Sequence, residues 1–91
     1  LIYLQIEPQN VEPFKEFLIV KGWDIASQEG GQSNFIGWAY IIHMTKELDG
    51  KLAEAWLHYS ENMSEKESHI ELNITAKNEL TIQLKEFNEQ V

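Results

Sequence analysis

Cysteine and arginine are both absent from the 91 residues, and proline occurs only twice. Without cysteine there are no disulfides, thiolate zinc sites, redox CxxC pairs or cysteine nucleophiles. Without arginine the chain lacks the side chain most used to grip phosphate and read guanine bidentately, so direct binding of nucleic acid is not expected. No apolar run approaches the roughly 18 residues of a membrane helix, and no basic-then-apolar leader resembles a signal peptide, so the expectation is a soluble, cytoplasmic protein with no membrane partner. The chain opens on Leu1 rather than methionine, and the numbering is expected to start one residue into the translated product. Close ligand pairs such as HExxH and the nucleophile motif GxSxG are also missing, so the expectation is no catalytic residue, no metal and no cofactor.

What is present is an excess of acid and a full complement of aromatic side chains. Fifteen Asp and Glu face seven basic residues, all lysine, for a formal charge of −8. Such a balance suits a basic partner, although charge of this size also serves solubility alone. At 43% hydrophobic, the chain has material for one core, read as a single acidic α+β domain over residues 1–91.

Leu1 to Ile6 reads as a strand buried on both faces. Asn10 caps a helix that tolerates Pro13 in its first turn, carries Phe14, Phe17 and Leu18 on one face, and ends at Gly22. Trp23 to Gln28 is a second strand candidate, residues 29–32 a turn, and Ser33 to Met44 a longer strand with Phe35, Trp38, Tyr40 and Ile42, in which Gly37 marks a bulge or close approach. From Thr45 the apolar residues Leu48, Leu52, Trp56 and Tyr59 recur at helical spacing, which predicts a second helix with Gly50 as its weak point. Residues 60–68 read as a polar loop. His69 to Thr75 alternates as a half-buried strand, 76–79 as a turn, and Leu80, Ile82 and Leu84 favour a last strand, although Leu80, Leu84, Phe87 and Val91 also fit a helix.

The order β-α-β-β-α-β with an extra C-terminal strand or helix predicts a ferredoxin-like sheet with two helices on one face. The bare face would then be covered by a second copy, which predicts a homodimer.

The candidate partner-binding residues follow from charge placement. Glu47, Glu54 and Glu61, spaced by seven, would line the outer side of the second helix at roughly 10 Å intervals. Asp49, Glu65, Glu67 and Glu71 extend that edge, and Glu12 and Glu16, with Lys15 between them, add acid from the first helix. Of the histidines, His43 and His69 fall on strands expected to neighbour each other, but ordinary polar positions explain them without a metal. Trp23, Phe35, Trp38, Tyr40 and Trp56 are expected in the core rather than in a binding box.

The length, the acidity, the lack of arginine and cysteine, and the opening LIYLQIEPQNVEPFKEFL together resemble the Arn family, the anti-restriction DNA-mimic proteins of T-even phages. The resemblance implies a non-enzymatic early phage protein acting in the host cytoplasm. Its implied partners are the host restriction nuclease McrBC and the nucleoid protein H-NS. Physically, fixed carboxylates compete with phosphates for the same lysines and arginines. Two alternatives stand beside it: a dimeric ferredoxin-like enzyme similar to the antibiotic-biosynthesis monooxygenases, with a cavity between helices and sheet lined by His58 or tryptophans, and an acidic immunity protein against a nuclease toxin, as barstar-like proteins are.

Overall fold

A computed structural model describes residues 1–33 and 37–90. Its strands are β1 (Ile2–Leu4), β2 (Asp24–Ser33), β3 (Gly37–Leu48), β4 (Lys51–Asn62) and β5 (Glu65–Leu72), and its helices are α1 (Val11–Val20) and α2 (Lys77–Gln90), each preceded by a short 3-10 turn. The strands form one antiparallel sheet in the order β1-β5-β4-β3-β2. Strands β2 to β5 are thus a simple meander, with β1 added beyond β5.

The α+β class stands, but the ferredoxin-like arrangement does not. A ferredoxin-like chain places a helix between its third and fourth strands; here β3, β4 and β5 follow one another directly. The difference begins at Asp49-Gly50. Both residues have positive φ, 51° and 79°, and Leu48 pairs with Lys51 across them. This is the two-residue type I′ turn, whose backbone twist matches the right-handed twist of paired strands, and Asp-Gly is one of its preferred sequences. The residues expected to form a second helix are therefore the end of β3 and the length of β4. Around the turn a period of two overrides the period near 3.6: Ala53, Ala55 and Leu57 are fully buried, while Leu52 is 54% exposed.

Other expectations shift for related reasons. Strand β2 runs straight through residues 29–32, where a turn was expected, and β4 and β5 extend into residues 60–68 around the two-residue turn at Met63 and Ser64. Residues 34–36, including Phe35, lie outside the described residues. Strand β1 is a three-residue edge strand with Tyr3 59% exposed, not a strand buried on both faces. The C-terminal segment is helical and not a strand: Leu80, Leu84 and Phe87 are buried at helical spacing, together with Gln83. Gly37 does make the close approach its strand position suggested, since a Cβ there would meet the Glu61 carbonyl oxygen at 2.6 Å.

Strand alternation assigns the two faces. Tyr40, Ile42 and Met44 of β3, Ala53, Ala55 and Leu57 of β4, and Ile70 and Leu72 of β5 share the side on which the helices pack. Helix α1 contributes Val11, Phe14 and Leu18 to this core, and α2 contributes Leu80, Leu84 and Phe87. Phe87 meets Phe14 edge-on at 5.3 Å and Phe17 at 5.6 Å between ring centroids. Helix α1 stops at Gly22 (φ 98°), and the chain enters β2 through Trp23, whose indole N–H donates to Gln83 of α2 at 2.8 Å. Asn73 closes the other end. Its side-chain oxygen accepts from the Glu54 and Ala76 amides, and its amide group donates to the Leu52 carbonyl, tying β4 to the start of α2.

Candidate functional site on the open sheet face

Among the described residues no helix packs on the opposite side of the sheet, and its chemistry can be read from the register. Cross-strand neighbours share a face, so Ile41, His58 and His69 lie in one row across β3, β4 and β5, and His43, Trp56, Glu71 and Tyr3 lie in the next across β3, β4, β5 and β1. Ala39, Ser60 and Glu67 form a third row. All three histidines of the chain are therefore on the open face.

They form two clusters. In the first, His43 stacks on Trp56 with centroids 4.8 Å apart and planes 5° from parallel, and its Nε2 lies 3.0 Å from Glu54 Oε2. In the second, the His58 and His69 rings stack at 4.3 Å and 12°, Tyr3 leans on His69 at 5.7 Å, and Glu71 Oε1 lies 3.3 Å from His58 Nε2. That contact is short enough for an ion pair but is not aligned as a hydrogen bond, so His58 Nε2 is buried without a partner. Burial, with His69 alongside, lowers the His58 pKa below the ordinary imidazole value and outweighs the opposite pull of Glu71. The expected neighbourhood of His43 and His69 is corrected accordingly: β4 separates them, and the residue opposite His69 is His58, which the sequence had placed on a helix.

The acids sort by face. Of the residues predicted to meet a partner, Glu47, Glu54, Glu65, Glu67 and Glu71 lie on the open face by register. Glu61 points to the helix side opposite Lys66, and Asp49 sits in the β3–β4 turn. Glu12 and Glu16 are on α1, held by Lys15 at 2.7 and 3.2 Å. The expected helical ridge of Glu47, Glu54 and Glu61 does not exist, because an interval of seven places two residues of one strand on opposite faces. Two acids that the sequence reading missed, Asp24 and Glu29, join the open face through their pairing with Thr45 and Ile41.

No lysine shares it. Lys46, Lys51 and Lys66 alternate onto the helix side, Lys46 donating to Glu79 at 2.6 Å and to the Lys21 carbonyl, while Lys15, Lys21, Lys77 and Lys85 belong to the helices or their ends. The period-two run Glu65, Glu67, His69, Glu71 was the sequence signal that could have disclosed this face.

A concavity of about 430 Å³ lies along it, bordered by Glu29, Ile41, His58, Ser60, Glu67 and His69. His58, which the enzyme alternative named, lines it together with Tyr40 and Tyr59, and no tryptophan does. Among the described residues, no helix is long and apolar enough to cross a membrane. Compared with known proteins, the chain matches no family model, no characterised protein and no solved structure.

Proposed function

We propose that this chain is a non-enzymatic acidic inhibitor that docks its open sheet face on the nucleic-acid site of a basic protein, in place of DNA. One observation carries the reading: Asp24, Glu29, Glu47, Glu54, Glu65, Glu67 and Glu71 share a face that holds no lysine. With seven lysines in the chain, mixed charge would be the ordinary outcome, and segregation creates a field that attracts cationic surfaces. The strand geometry also spaces the acids more closely than the predicted helix would. Residues two apart on a strand stand about 6.8 Å from one another, against roughly 10 Å for seven apart on a helix. Tyr3, Ile41, Leu52 and Trp56 add apolar and aromatic surface on the same side, the kind of anchor on which docking interfaces rely.

The Arn resemblance suggests McrBC and H-NS as partners, in a host cytoplasm. A homodimer packed through the open face would set one acid array against another. A dimer that leaves the face free would instead join along the outer edge of β2, the long strand at the margin of the sheet.

The test is competition. Labelled duplex DNA bound to H-NS, or to the DNA-binding subunit of McrBC, is titrated with this chain at low and high salt, with fluorescence anisotropy as the readout. Displacement that weakens steeply with salt is expected, and the triple reversal Glu29→Lys, Glu65→Lys, Glu67→Lys should abolish it while leaving the circular dichroism spectrum unchanged. Failure of the unmutated chain to displace DNA from either protein, or undiminished displacement by the triple variant, refutes the proposal.

A further inference from the structure

The second histidine cluster has a property that docking does not require. His58, His69 and Glu71 each offer a donor atom, and these atoms lie within 4.8 Å of one another. The three come from adjacent strands: His58 is directly opposite His69, and Glu71 is two residues further along β5 on the same face. We propose that this triad binds a divalent transition-metal cation of the zinc type.

Three features support the site together. Two imidazoles and one carboxylate are a donor set that suits zinc, whereas calcium and magnesium take oxygen donors. Tetrahedral coordination at about 2.05 Å needs donors about 3.3 Å apart, so the cluster must close by about 1.5 Å at most, within the reach of side-chain rotation on a fixed sheet. His58 Nε2 is buried, without a hydrogen-bond partner, and 3.3 Å from a carboxylate oxygen. A cation that accepts a lone pair from this nitrogen and from the carboxylate gives both a partner.

The surroundings limit what the site can do. Tyr3 packs against His69 on one side. On the other side both histidines border the 430 Å³ concavity. Three protein ligands leave a fourth position open to water or to a small anionic ligand entering from the concavity, as zinc sites that exchange ligands do. The other histidine cluster offers no equivalent, because His43 Nε2 is already hydrogen-bonded to Glu54 and its ring is stacked on Trp56.

Isothermal titration with zinc chloride at pH 7.5 tests the proposal. One equivalent is expected to bind, with affinity falling about tenfold or more in each of His58→Ala, His69→Ala and Glu71→Gln. His43→Ala should bind within about twofold of the unmutated chain, being outside the ligand set. Ring-nitrogen NMR of the unmutated protein gives a second readout that needs no variant: the His58 and His69 imidazole signals should shift on adding zinc, and the His43 signal should not. Absence of binding, affinity in the three ligand variants equal to that of the unmutated chain, or zinc-induced shifts confined to His43 would overturn it.

Discussion

Replacing Gln83 with leucine tests whether one buried hydrogen bond fixes the C-terminal helix against the rest of the fold. Gln83 is 7% exposed and Trp23 is 1% exposed, and the indole N–H donates to the Gln83 side-chain oxygen at 2.8 Å. Leucine fills nearly the same volume, so the cavity contribution is small and the main loss is an indole N–H left buried without an acceptor. Such an orphaned donor costs about 1–3 kcal/mol. The other end of Gln83 matters less: its contact with Glu79 is 3.4 Å long, and Glu79 keeps Lys46 at 2.6 Å. The expected loss is about 2 kcal/mol, which for a domain of this size lowers the melting temperature by about 8–16 °C.

Urea unfolding followed by tryptophan fluorescence measures it, with a double-mutant cycle to isolate the pair. Trp23→Phe alone orphans the Gln83 oxygen, while Trp23→Phe with Gln83→Leu removes both polar groups. The double variant should therefore lose less than the sum of the singles, by about 1 kcal/mol or more. If Gln83→Leu changes stability by less than about 0.5 kcal/mol, or if the two losses simply add, the hydrogen bond does not hold the helix as argued.

Further tests address other joints of the fold. Asn73→Ala removes the bonds that tie Leu52 and Glu54 to the start of α2, and should cost about 2 kcal/mol in urea unfolding; Asn73→Asp keeps the acceptor and should lose less. Met63, 90% exposed in the β4–β5 turn, has φ of 56°, so Met63→Gly should raise stability by about 0.5–1 kcal/mol on thermal unfolding. The lowered His58 pKa means that the unfolded chain takes up this proton first as pH falls. Its contribution is thus present above the ordinary imidazole value and is lost in acid, and His58→Gln should flatten the decline in stability measured between pH 7 and pH 5.

Much of the N-terminal half was legible because its signals are local. Pro13 and Gly22 punctuate α1 and Val11, Phe14 and Leu18 supply its buried stripe, although Asn10, expected to cap the helix, makes no side-chain cap hydrogen bond. The segment after Thr45 misled because it satisfies two periods at once. Leu48, Leu52, Trp56 and Tyr59 fit a helix, while Ala53, Ala55 and Leu57 against Leu52, Glu54 and Trp56 fit a strand. Local sequence favoured the first reading, since alanine and leucine are good helix formers. The second won because Asp49-Gly50 turns the chain back on β3, and the small alanines of β4 then lie fully buried on the helix-covered side. Residues 77–90 were ambiguous for the same reason. They resolved as a helix because the Trp23 indole and the Phe14–Phe17 cluster need Gln83 and Phe87 on one side of it.

By itself the sequence determined what does not depend on arrangement: an acidic chain without arginine or cysteine, with enough apolar residues for one α+β domain, and with particular acids available to a cationic partner. Only the tertiary structure decided which of those acids stand together and which histidines touch. Side-chain direction on a strand reverses with every residue, so one mistaken element scrambles every face assignment built on it. Glu47, Glu54 and Glu61 looked collinear and are not. Asp24, Glu29, Glu65, Glu67 and Glu71 look scattered, and the pairing of four strands brings them onto one side with His58 and His69.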